Sequence, residues 1–418
     1  MLKIVIDCGG EVRGLSASVH KATAVLAARA PKKLHPAIET FPQPQNSYYF
    51  YRGRTALNVL LRALGVQAGD EVIVQAYTCL AVILPIMSLG AIPVYVDIMR
   101  GTYTVDPAAV AARITARTRV LIIQHTFGIP ADLTPLLEIA KEHRLSVIED
   151  CCHVHGSTYD GQPLGSFGVG AFYSFHWSKP LAAGRGGLAV ANEPLIARRV
   201  ASLHASFSQP SMSEVAILNA QYLAFKVLRG SRFITHLRRL LRFWSPMGVA
   251  SGQFKRAELE YKATDDYTKK MAGVTAHQVR SMLRNGRMSI ERRQHIGQQL
   301  HTHATQLGVS PLGLLSNSCA VFSCYPLRTG QREQVIRESW SWGVNIAPGF
   351  VSPVDPISRG GWVNVGYRAG SCPVAEELSE KTITLPVNDW ARNSDVHGML
   401  EFVDAMKAQG LLEIVHHG

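Results

Sequence analysis

The sequence predicts an α/β fold built on a mostly parallel sheet. Short apolar strands alternate with helical segments from about residue 54 to residue 190, which is the pattern of a parallel sheet covered by helices. At 418 residues, with 47% hydrophobic and 18% charged residues, the chain is also long enough to bury a large core and to form two or three domains.

The first helix of this pattern follows Gly53. Leucines at positions 57, 60, 61 and 64 keep the spacing of one helical face, and Gly65 ends the helix. Four short apolar strands are then predicted between helices: Val72–Val74, Val94–Val96, Val120–Ile123 and Leu145–Ile148.

One uncharged run, Ala76–Val96, is long enough to raise the question of a membrane span. Pro85, Gly90 and Pro93 interrupt it, and these residues break a continuous helix. We therefore expect a core helix, a turn and a strand.

A basic segment follows the alternating part. Between Lys226 and Arg256 there are eight Lys or Arg residues and no acidic residue. Its large apolar residues recur at helical spacing, at Phe233, Leu237, Leu240, Leu241 and Trp244. Three interpretations stay open: a solvated face packed on the body, an anionic membrane surface as partner, or an anionic substrate bound by Arg238, Arg239 and Arg242.

A smaller C-terminal α+β domain is indicated beyond about residue 275 by a strand at Phe322–Tyr325 and a helix at Glu333–Trp342. We predict four parts. These are an N-terminal segment 1–45, a large α/β domain 46–225, a basic helical insertion or linker 226–270 and a small C-terminal domain 271–418.

The net charge and the cysteine content indicate which partners and which compartment to expect. The net charge is +12, but no nucleic-acid module accompanies it, so nucleic acid is not the expected partner. The seven cysteines are odd in number and lie mostly in apolar runs, which favours reduced thiols. Since the first residues carry no secretory pattern, we expect a cytoplasmic protein.

The stretch from Leu145 to Gly187 carries the chemistry. Asp150 ends an apolar strand, and Ser174 and Lys179 follow it in that order. Pyridoxal phosphate needs a carboxylate at its ring nitrogen, a lysine for its aldehyde and a hydroxyl for its phosphate. Each residue alone has an ordinary interpretation, as a strand end, a surface lysine or any serine. Their joint occurrence before a glycine-rich turn favours the cofactor.

The same stretch resembles the DegT/StrS group of sugar aminotransferases, which are fold-type-I pyridoxal-phosphate enzymes. The residues that carry the resemblance are Glu149, Asp150, Cys151, Cys152, His153, Ser174, Phe175, Lys179, Gly186 and Gly187. Further likeness is found at Gly53–Gly65, Gly69–Val74, Gly90–Asp97, His125–Asp132, Cys372–Ser379 and Leu385–Pro386. It covers nearly the whole chain and is weakest between about residues 205 and 270.

The resemblance implies a role for each site residue. The phosphate would lie at the helix start, near the amides of Arg54 and Thr55, although a glycine before a helix is also an ordinary helix start. Cys152 would pack beneath the ring. His153 would lie near the 3-oxygen of the ring, unless it is simply a core histidine.

Lys179 would attach the cofactor and move the proton between substrate and cofactor. Members of the family that dehydrate their substrate carry histidine there, so this lysine favours amino transfer.

Several positions depart from the family pattern. Cys79 stands where members place an aromatic residue over the ring. Thr268 stands where members place an Asn that comes from the neighbouring subunit near the phosphate, and Lys270 replaces the usual Arg. Arg185 replaces the acidic residue before Gly186. These departures concern the substrate more than the cofactor.

The expected function is transfer of an amino group from glutamate to a nucleotide- or lipid-linked keto-sugar, in a homodimer with shared active sites and without a metal. Two alternatives remain. One is another pyridoxal-phosphate reaction on the same fold, such as lyase, replacement or carbon–carbon chemistry. The other is a non-catalytic cofactor-binding or membrane-associated regulatory protein.

Overall fold

The computed structural model describes residues 46–228, 254, 256–261, 264–310 and 312–415. All of them belong to one compact unit, residues 35–418. The predicted N-terminal segment 1–45 and the three basic residues Arg238, Arg239 and Arg242 lie outside the described residues.

The described residues form fifteen strands and twelve α-helices. The strands are β1 (Ser47–Phe50), β2 (Glu71–Gln75), β3 (Thr78–Cys79), β4 (Ile92–Val96), β5 (Thr118–Gln124), β6 (Ser146–Asp150), β7 (Thr158–Tyr159), β8 (Gln162–Pro163), β9 (Gly170–Ser174), β10 (Gly187–Ala191), β11 (Ser318–Cys319), β12 (Cys324–Arg328), β13 (Ala347–Pro348), β14 (Val354–Asp355) and β15 (Thr382–Pro386). The helices are α1 (Gly53–Ala63), α2 (Leu80–Met87), α3 (Pro107–Ala111), α4 (Leu133–Glu142), α5 (Pro194–Ala205), α6 (Met212–Leu228), α7 (Arg256–Leu259), α8 (Gly273–Arg284), α9 (Arg287–Gln306), α10 (Arg332–Ser341), α11 (Pro373–Lys381) and α12 (Asn393–Ala408).

The main sheet has seven strands in the order β1-β10-β9-β6-β5-β2-β4. The five strands from β9 to β4 pair in parallel, and β10 joins β9 and β1 through antiparallel pairs. The four strands predicted from the sequence correspond to β2, β4, β5 and β6. The predicted α/β fold with a mostly parallel mixed sheet is therefore confirmed.

The core forms where the sequence pattern places it. Leu57, Leu60 and Leu61 of α1 are fully buried, which accounts for their helical spacing. The uncharged run 76–96 becomes α2 and β4, as expected, and Leu80, Ile83 and Tyr95 join the same core. Among the described residues, no helix is long and apolar enough to cross a membrane.

The carboxyl ends of the strands bring the candidate residues together. In the parallel pair β5 and β6, Gln124 is in register with Asp150, and β9 ends beside them at Ser174. The start of α1 at Gly53 lies against the same edge, because a Cβ at Gly53 would come within 2.9 Å of the Ser174 Cβ. In parallel α/β sheets, ligands bind outside this edge.

The C-terminal part contains a separate three-stranded sheet in the order β12-β15-β13. The predicted strand at 322–325 begins two residues later, at Cys324. The predicted helix Glu333–Trp342 corresponds to α10, one residue earlier at both ends. The division into a large and a small domain stays a prediction.

Candidate active site

A cavity at the carboxyl edge of the main sheet collects most of the predicted site residues. The predicted residues on its wall are Arg54, Cys79, Asp150, Cys152, His153, Ser174 and Lys179. The wall also includes Arg52, Gly53, Ala81, Val82, Gln124, Phe172, His176, Arg185, Gly186 and Phe350. Residues separated by up to 300 positions in the sequence therefore meet in one place.

The two acidic residues at the end of β6 face different surroundings. Asp150 is 4% exposed, lines the cavity and accepts a hydrogen bond of 2.9 Å from the Cys152 N–H. Burial raises the pKa of Asp150, against the opposing effects of that hydrogen bond and of the Lys179 charge.

Glu149 is fully buried on the other side of the strand. Its carboxylate accepts the N–H groups of Gly165 and Phe167, each at 2.7 Å, and of Gly168 at 3.0 Å. The His125 Nε2 also lies 3.1 Å from it. Glu149 thus fixes the loop before β9, and only Asp150 is placed for chemistry in the cavity.

A short turn presents Lys179 to the cavity. Its N–H donates to the His176 carbonyl at 2.9 Å, and Pro180 directly after it accepts a 3.2 Å hydrogen bond from the buried Arg293. Within the described part of the chain, the Lys179 amine makes no hydrogen bond or ion pair, although its charge acts on Asp150, Cys152 and His153. It is the primary amine of the cavity.

The phosphate site expected at the start of α1 stays a prediction, and the structure places one of its residues, Thr55, away from the cavity. Helix α1 has no acidic residue in its first turn, so its positive end is uncompensated there. The Thr55 N–H donates to the Arg52 carbonyl at 3.1 Å, and its hydroxyl donates to the Asp266 carbonyl at 3.0 Å. Thr55 is therefore not on the cavity wall, whereas Gly53, Arg54 and Ser174 are.

The His153 ring lies nearly parallel to two aromatic rings. Its ring stacks on Phe127 and Phe350, with centroid distances of 6.2 and 5.9 Å. Its Nδ1 accepts the Phe127 N–H at 3.1 Å. Burial, followed by the Lys179 charge, keeps its pKa well below the usual range. The imidazole is therefore neutral, and this geometry assigns its proton to Nε2.

Two predicted residues lie away from this cavity. The Thr268 hydroxyl donates to the Asp265 carbonyl at 3.1 Å, and the Lys270 amine donates to the Ala205 carbonyl at 3.1 Å. Their expected contact with the site of a neighbouring subunit stays a prediction. The third departure from the family, Cys79, is buried on the wall, and burial raises its pKa, so the thiol is neutral.

Sequence reasoning missed several wall residues. Gln124 is bonded on both sides, accepting from Thr78 at 2.7 Å and donating to Thr126 at 2.8 Å. It ends β5 beside Asp150, so the carboxyl-end rule could have found it. No local signal marks Arg52 or Phe350, which reach the cavity from a loop before α1 and from the C-terminal part.

The fold is that of solved aminotransferases. DesV from S. venezuelae in complex with a ketimine intermediate superimposes with a TM-score of 0.65 at 23% identity, covering 93% of each chain. A protein from Streptococcus pneumoniae named as a sugar aminotransferase, in its PLP-form, gives a TM-score of 0.67 at 22% identity, covering 94% of this chain and 97% of that one. These likenesses confirm the fold-type-I architecture expected from the sequence.

Residues 31–219 match the model of the DegT/DnrJ/EryC1/StrS aminotransferase family. An L-glutamine:scyllo-inosose aminotransferase from Streptomyces griseus is 42% identical over 153 residues, which are 37% of this chain and 36% of that protein. A pleiotropic regulatory protein from Geobacillus stearothermophilus is 37% identical over 180 residues, 43% of this chain and 48% of that protein. The chain thus aligns with less than half the length of these curated relatives.

Proposed function

We propose that this protein is a pyridoxal-phosphate-dependent aminotransferase. One observation carries the proposal. A lysine amine, a buried carboxylate and the start of a helix with a serine hydroxyl lie around one cavity, and these are the groups that the cofactor requires. The family match of residues 31–219 supports it.

The residues of the cavity fit the cofactor. Gly53 and Ser174 would hold its phosphate at the start of α1, Asp150 would bind the protonated ring nitrogen, and Lys179 would hold the aldehyde. The neutral His153 would donate its Nε2–H to the 3-oxygen of the ring. Bound pyridoxal phosphate supplies an electron sink for the electrons left when a proton leaves the substrate carbon.

Each residue then has a task in the reaction. The Lys179 amine would act as the general acid and base that moves the substrate proton. Asp150, whose carboxylate form is favoured by the Lys179 charge and by the Cys152 N–H, would keep the ring nitrogen protonated. Cys79 and Val82 offer no aromatic ring for stacking, and His153, whose ring is nearly parallel to those of Phe127 and Phe350, is one of the planar groups of the wall.

The substrates we propose are an amino acid of the glutamate or glutamine type and a ketone on a sugar or cyclic polyol. The names of the curated relatives, glutamine-dependent aminotransferases of scyllo-inosose and its derivatives, support this class. Glutamate remains the donor expected from the sequence. A nucleotide- or lipid-linked keto-sugar is the alternative acceptor.

The decisive experiment follows the attachment of the cofactor to Lys179. The wild-type protein incubated with pyridoxal phosphate should show a visible absorbance band, and borohydride should fix the label on the peptide that contains Lys179. Glutamate or glutamine should bleach the band, and a keto-sugar or cyclic polyol ketone should restore it. Lys179→Ala should lose the fixed label and turnover. A fully active Lys179→Ala protein would show that the site is assigned wrongly.

The same experiment tests the two alternatives. A lyase or replacement enzyme would release a changed carbon skeleton without stoichiometric transfer of nitrogen to a ketone. A regulatory protein would bind the cofactor without bleaching by any amino donor. Transfer of labelled nitrogen from donor to acceptor excludes both.

We further propose that Arg238, Arg239 and Arg242 of the basic segment attract an anionic acceptor to the enzyme. Replacing the three arginines with glutamine should raise the KM for a phosphorylated acceptor and leave the donor half-reaction unchanged. The effect should shrink in high salt, because exposed charges are screened beyond about 10 Å at 0.1 M. Unchanged kinetics and unchanged liposome binding would identify the segment as a packing element. The proposed compartment is the cytoplasm.

A further inference from the structure

The cavity wall carries more positive side chains than the cofactor uses. Arg52 forms a 2.5 Å ion pair with the buried Asp266, and Arg54 forms a 2.5 Å ion pair with the buried Glu258. Both charges are thereby compensated inside the protein. His176 is neutral at physiological pH, because burial and the neighbouring Lys179 lower its pKa to about 3.

Arg185 is the exception among the described arginines of this wall. No carboxylate lies within ion-pair distance of it in the described part of the chain. Its Nη1 donates to the Tyr51 hydroxyl, and its guanidinium stacks 4.8 Å from the centroid of the Tyr51 ring. The Tyr51 hydroxyl in turn donates to Glu214 at 2.9 Å. One corner of the guanidinium is thus fixed by a neutral phenol.

The opposite edge of the same guanidinium has no acceptor. The Arg185 Nε is fully buried and makes no hydrogen bond, and no bond of Nη2 is found with any described residue. A guanidinium binds a carboxylate through two parallel N–H groups along one edge. With Nη1 tied to Tyr51, the edge formed by Nε and Nη2 is the one that remains for a ligand.

The backbone is shaped to hold Arg185 there. It lies between Gly184 and Gly186, whose φ angles of +88° and +150° belong to a region that favours glycine. A Cβ at Gly186 would also come within 2.6 Å of the Met271 side chain. The turn therefore fixes the direction in which Arg185 leaves the chain, toward the cavity that also contains Lys179.

We propose that Arg185 binds a carboxylate of the substrate through its Nε and Nη2 edge and thereby selects acidic substrates for this site. The inference rests on the proposed function. The carboxylate has two possible sources, the amino acid donor or an acidic keto acceptor. The cofactor phosphate is not the ligand, since Ser174 and the start of α1 are already placed for it.

The test uses protein loaded with pyridoxal phosphate and the probe glutarate, a dicarboxylate without an amino group. Calorimetric titration should show that glutarate binds Arg185→Gln about ten- to a hundredfold more weakly than wild type, as expected on losing a hydrogen bond between charged groups. Arg185→Lys keeps the positive charge but cannot form two parallel hydrogen bonds to a carboxylate. Its affinity for glutarate should lie between those of wild type and Arg185→Gln. The uncharged diamide of glutarate should not discriminate among the proteins.

A matched control is available in Arg280. Its guanidinium also lies 4.8 Å from a tyrosine ring, that of Tyr49, but it is not on the cavity wall. Arg280→Gln should bind glutarate as wild type does. Melting temperatures of all variants show whether any has lost its fold, and Arg185→Lys keeps the test informative if Arg185→Gln does not fold.

Kinetics with different donor and acceptor substrates identify the source of the carboxylate. A higher half-saturation concentration for glutamate and glutamine in Arg185→Gln, with a neutral cyclic polyol ketone unaffected, assigns the carboxylate to the donor. A higher half-saturation concentration for an acidic ketone, with glutamate and glutamine unaffected, assigns the carboxylate to the acceptor. Unchanged glutarate binding, no glutarate binding by wild type, or loss of pyridoxal-phosphate affinity alone would overturn the inference. Failure of the wild type to show the visible band would instead overturn the proposed function.

Discussion

At the scale of single residues, two neighbouring acidic residues at the end of β6 have different roles. Glu149 stabilises the structure, and Asp150 faces the cavity. Glu149 satisfies three backbone N–H groups of the loop before β9, while Asp150 meets the Cys152 N–H and the cavity. Successive side chains of a strand point to opposite faces, so one sequence pair supplies both. The pair therefore predicts two different mutant phenotypes.

Asp150→Asn should keep the covalent attachment of the cofactor and lose most of the turnover. A neutral amide cannot hold the proton on the ring nitrogen, so kcat should fall by at least about a hundredfold, the size expected for a group that stabilises developing charge. Single-turnover absorbance measurements separate attachment from rate. Near-wild-type turnover would remove Asp150 from the proposed role.

Glu149→Gln serves as the neighbouring control. It exchanges a carboxylate oxygen for an NH₂ group that cannot accept the loop N–H bonds, so the free energy of unfolding should fall by about 1–3 kcal/mol. The visible band of the loaded protein should keep its position in this variant. Thermal or denaturant unfolding, followed beside the absorbance spectrum, distinguishes the two phenotypes.

At the scale of elements, a residue next to the main sheet caps the start of the C-terminal helix α11. Asp97, directly after β4, accepts the N–H groups of Val374 and Ala375 at 2.9 Å each. These N–H groups lie in the first turn of α11, where helices lack internal partners. The motif Cys372–Ser379, singled out from the sequence, is thus the start of a helix capped from a distant strand.

Asp97→Ala should destabilise the protein by about 1–2 kcal/mol, the usual cost of removing a helix cap. Asp106 provides a matched control. Its carboxylate caps the short α3 locally, accepting the Ala108 N–H at 2.9 Å. Asp106→Ala should cost less, because it breaks no contact between distant segments. Equal losses in denaturant unfolding of the two variants would contradict the linking role of Asp97.

A second element, α6, is held at its start by Glu214. Partial burial opposes ionisation of this carboxyl, but hydrogen bonds from Ser211, Tyr51 and Lys269 outweigh it and lower its pKa to about 2 from an ordinary value of 4.5. The charged form is thus favoured by folding. Its contribution to stability is fully present above about pH 4.5 and is lost as the pH falls toward 2.

Glu214→Gln should therefore lower the free energy of unfolding by about 1–3 kcal/mol at neutral pH. The difference between variant and wild type should shrink as the pH drops below about 4.5. Glu291→Gln, which removes only an exposed pair with Arg287, should change stability by less than about 1 kcal/mol. Denaturant unfolding between pH 3 and pH 7 checks both expectations. A difference that is constant over this range would refute the assignment.

At the scale of the whole molecule, features set by residues close together in the sequence could be predicted, and contacts between distant residues could not. The local pattern of apolar residues predicts the parallel strands and α1. Asp150, Ser174 and Lys179 lie within one stretch of 30 residues. Phe350 reaches the cavity from the C-terminal part, and Arg52 and Arg54 meet Asp266 and Glu258 more than 200 positions away. Such pairings depend on tertiary packing, which a single sequence does not display.

The surface suggests where a second copy of the chain would bind. Helix α6 exposes the large apolar side chains of Ile217, Leu223 and Val227, at 57%, 64% and 72% of their surface, and exposed apolar residues are available for contact with a partner. Lys270 is joined to the segment before α6, because its N–H donates to the Ser208 carbonyl at 2.8 Å. We propose a homodimer in which Thr268 and Lys270 reach the partner's active site.

Mixing two inactive variants tests this assembly directly. Lys179→Ala lacks the lysine of its own site, and Lys270→Glu would place a negative charge at the phosphate of its partner's site, so each homodimer should be inactive or weak. In a mixed dimer with composite sites, one site contains both intact residues, so unfolding and refolding the two variants together should recover activity that neither shows alone. Sedimentation measured at the assay concentration should show a dimer. Full activity of a wild-type monomer at high dilution, or no recovery in the mixture, would rule out shared active sites.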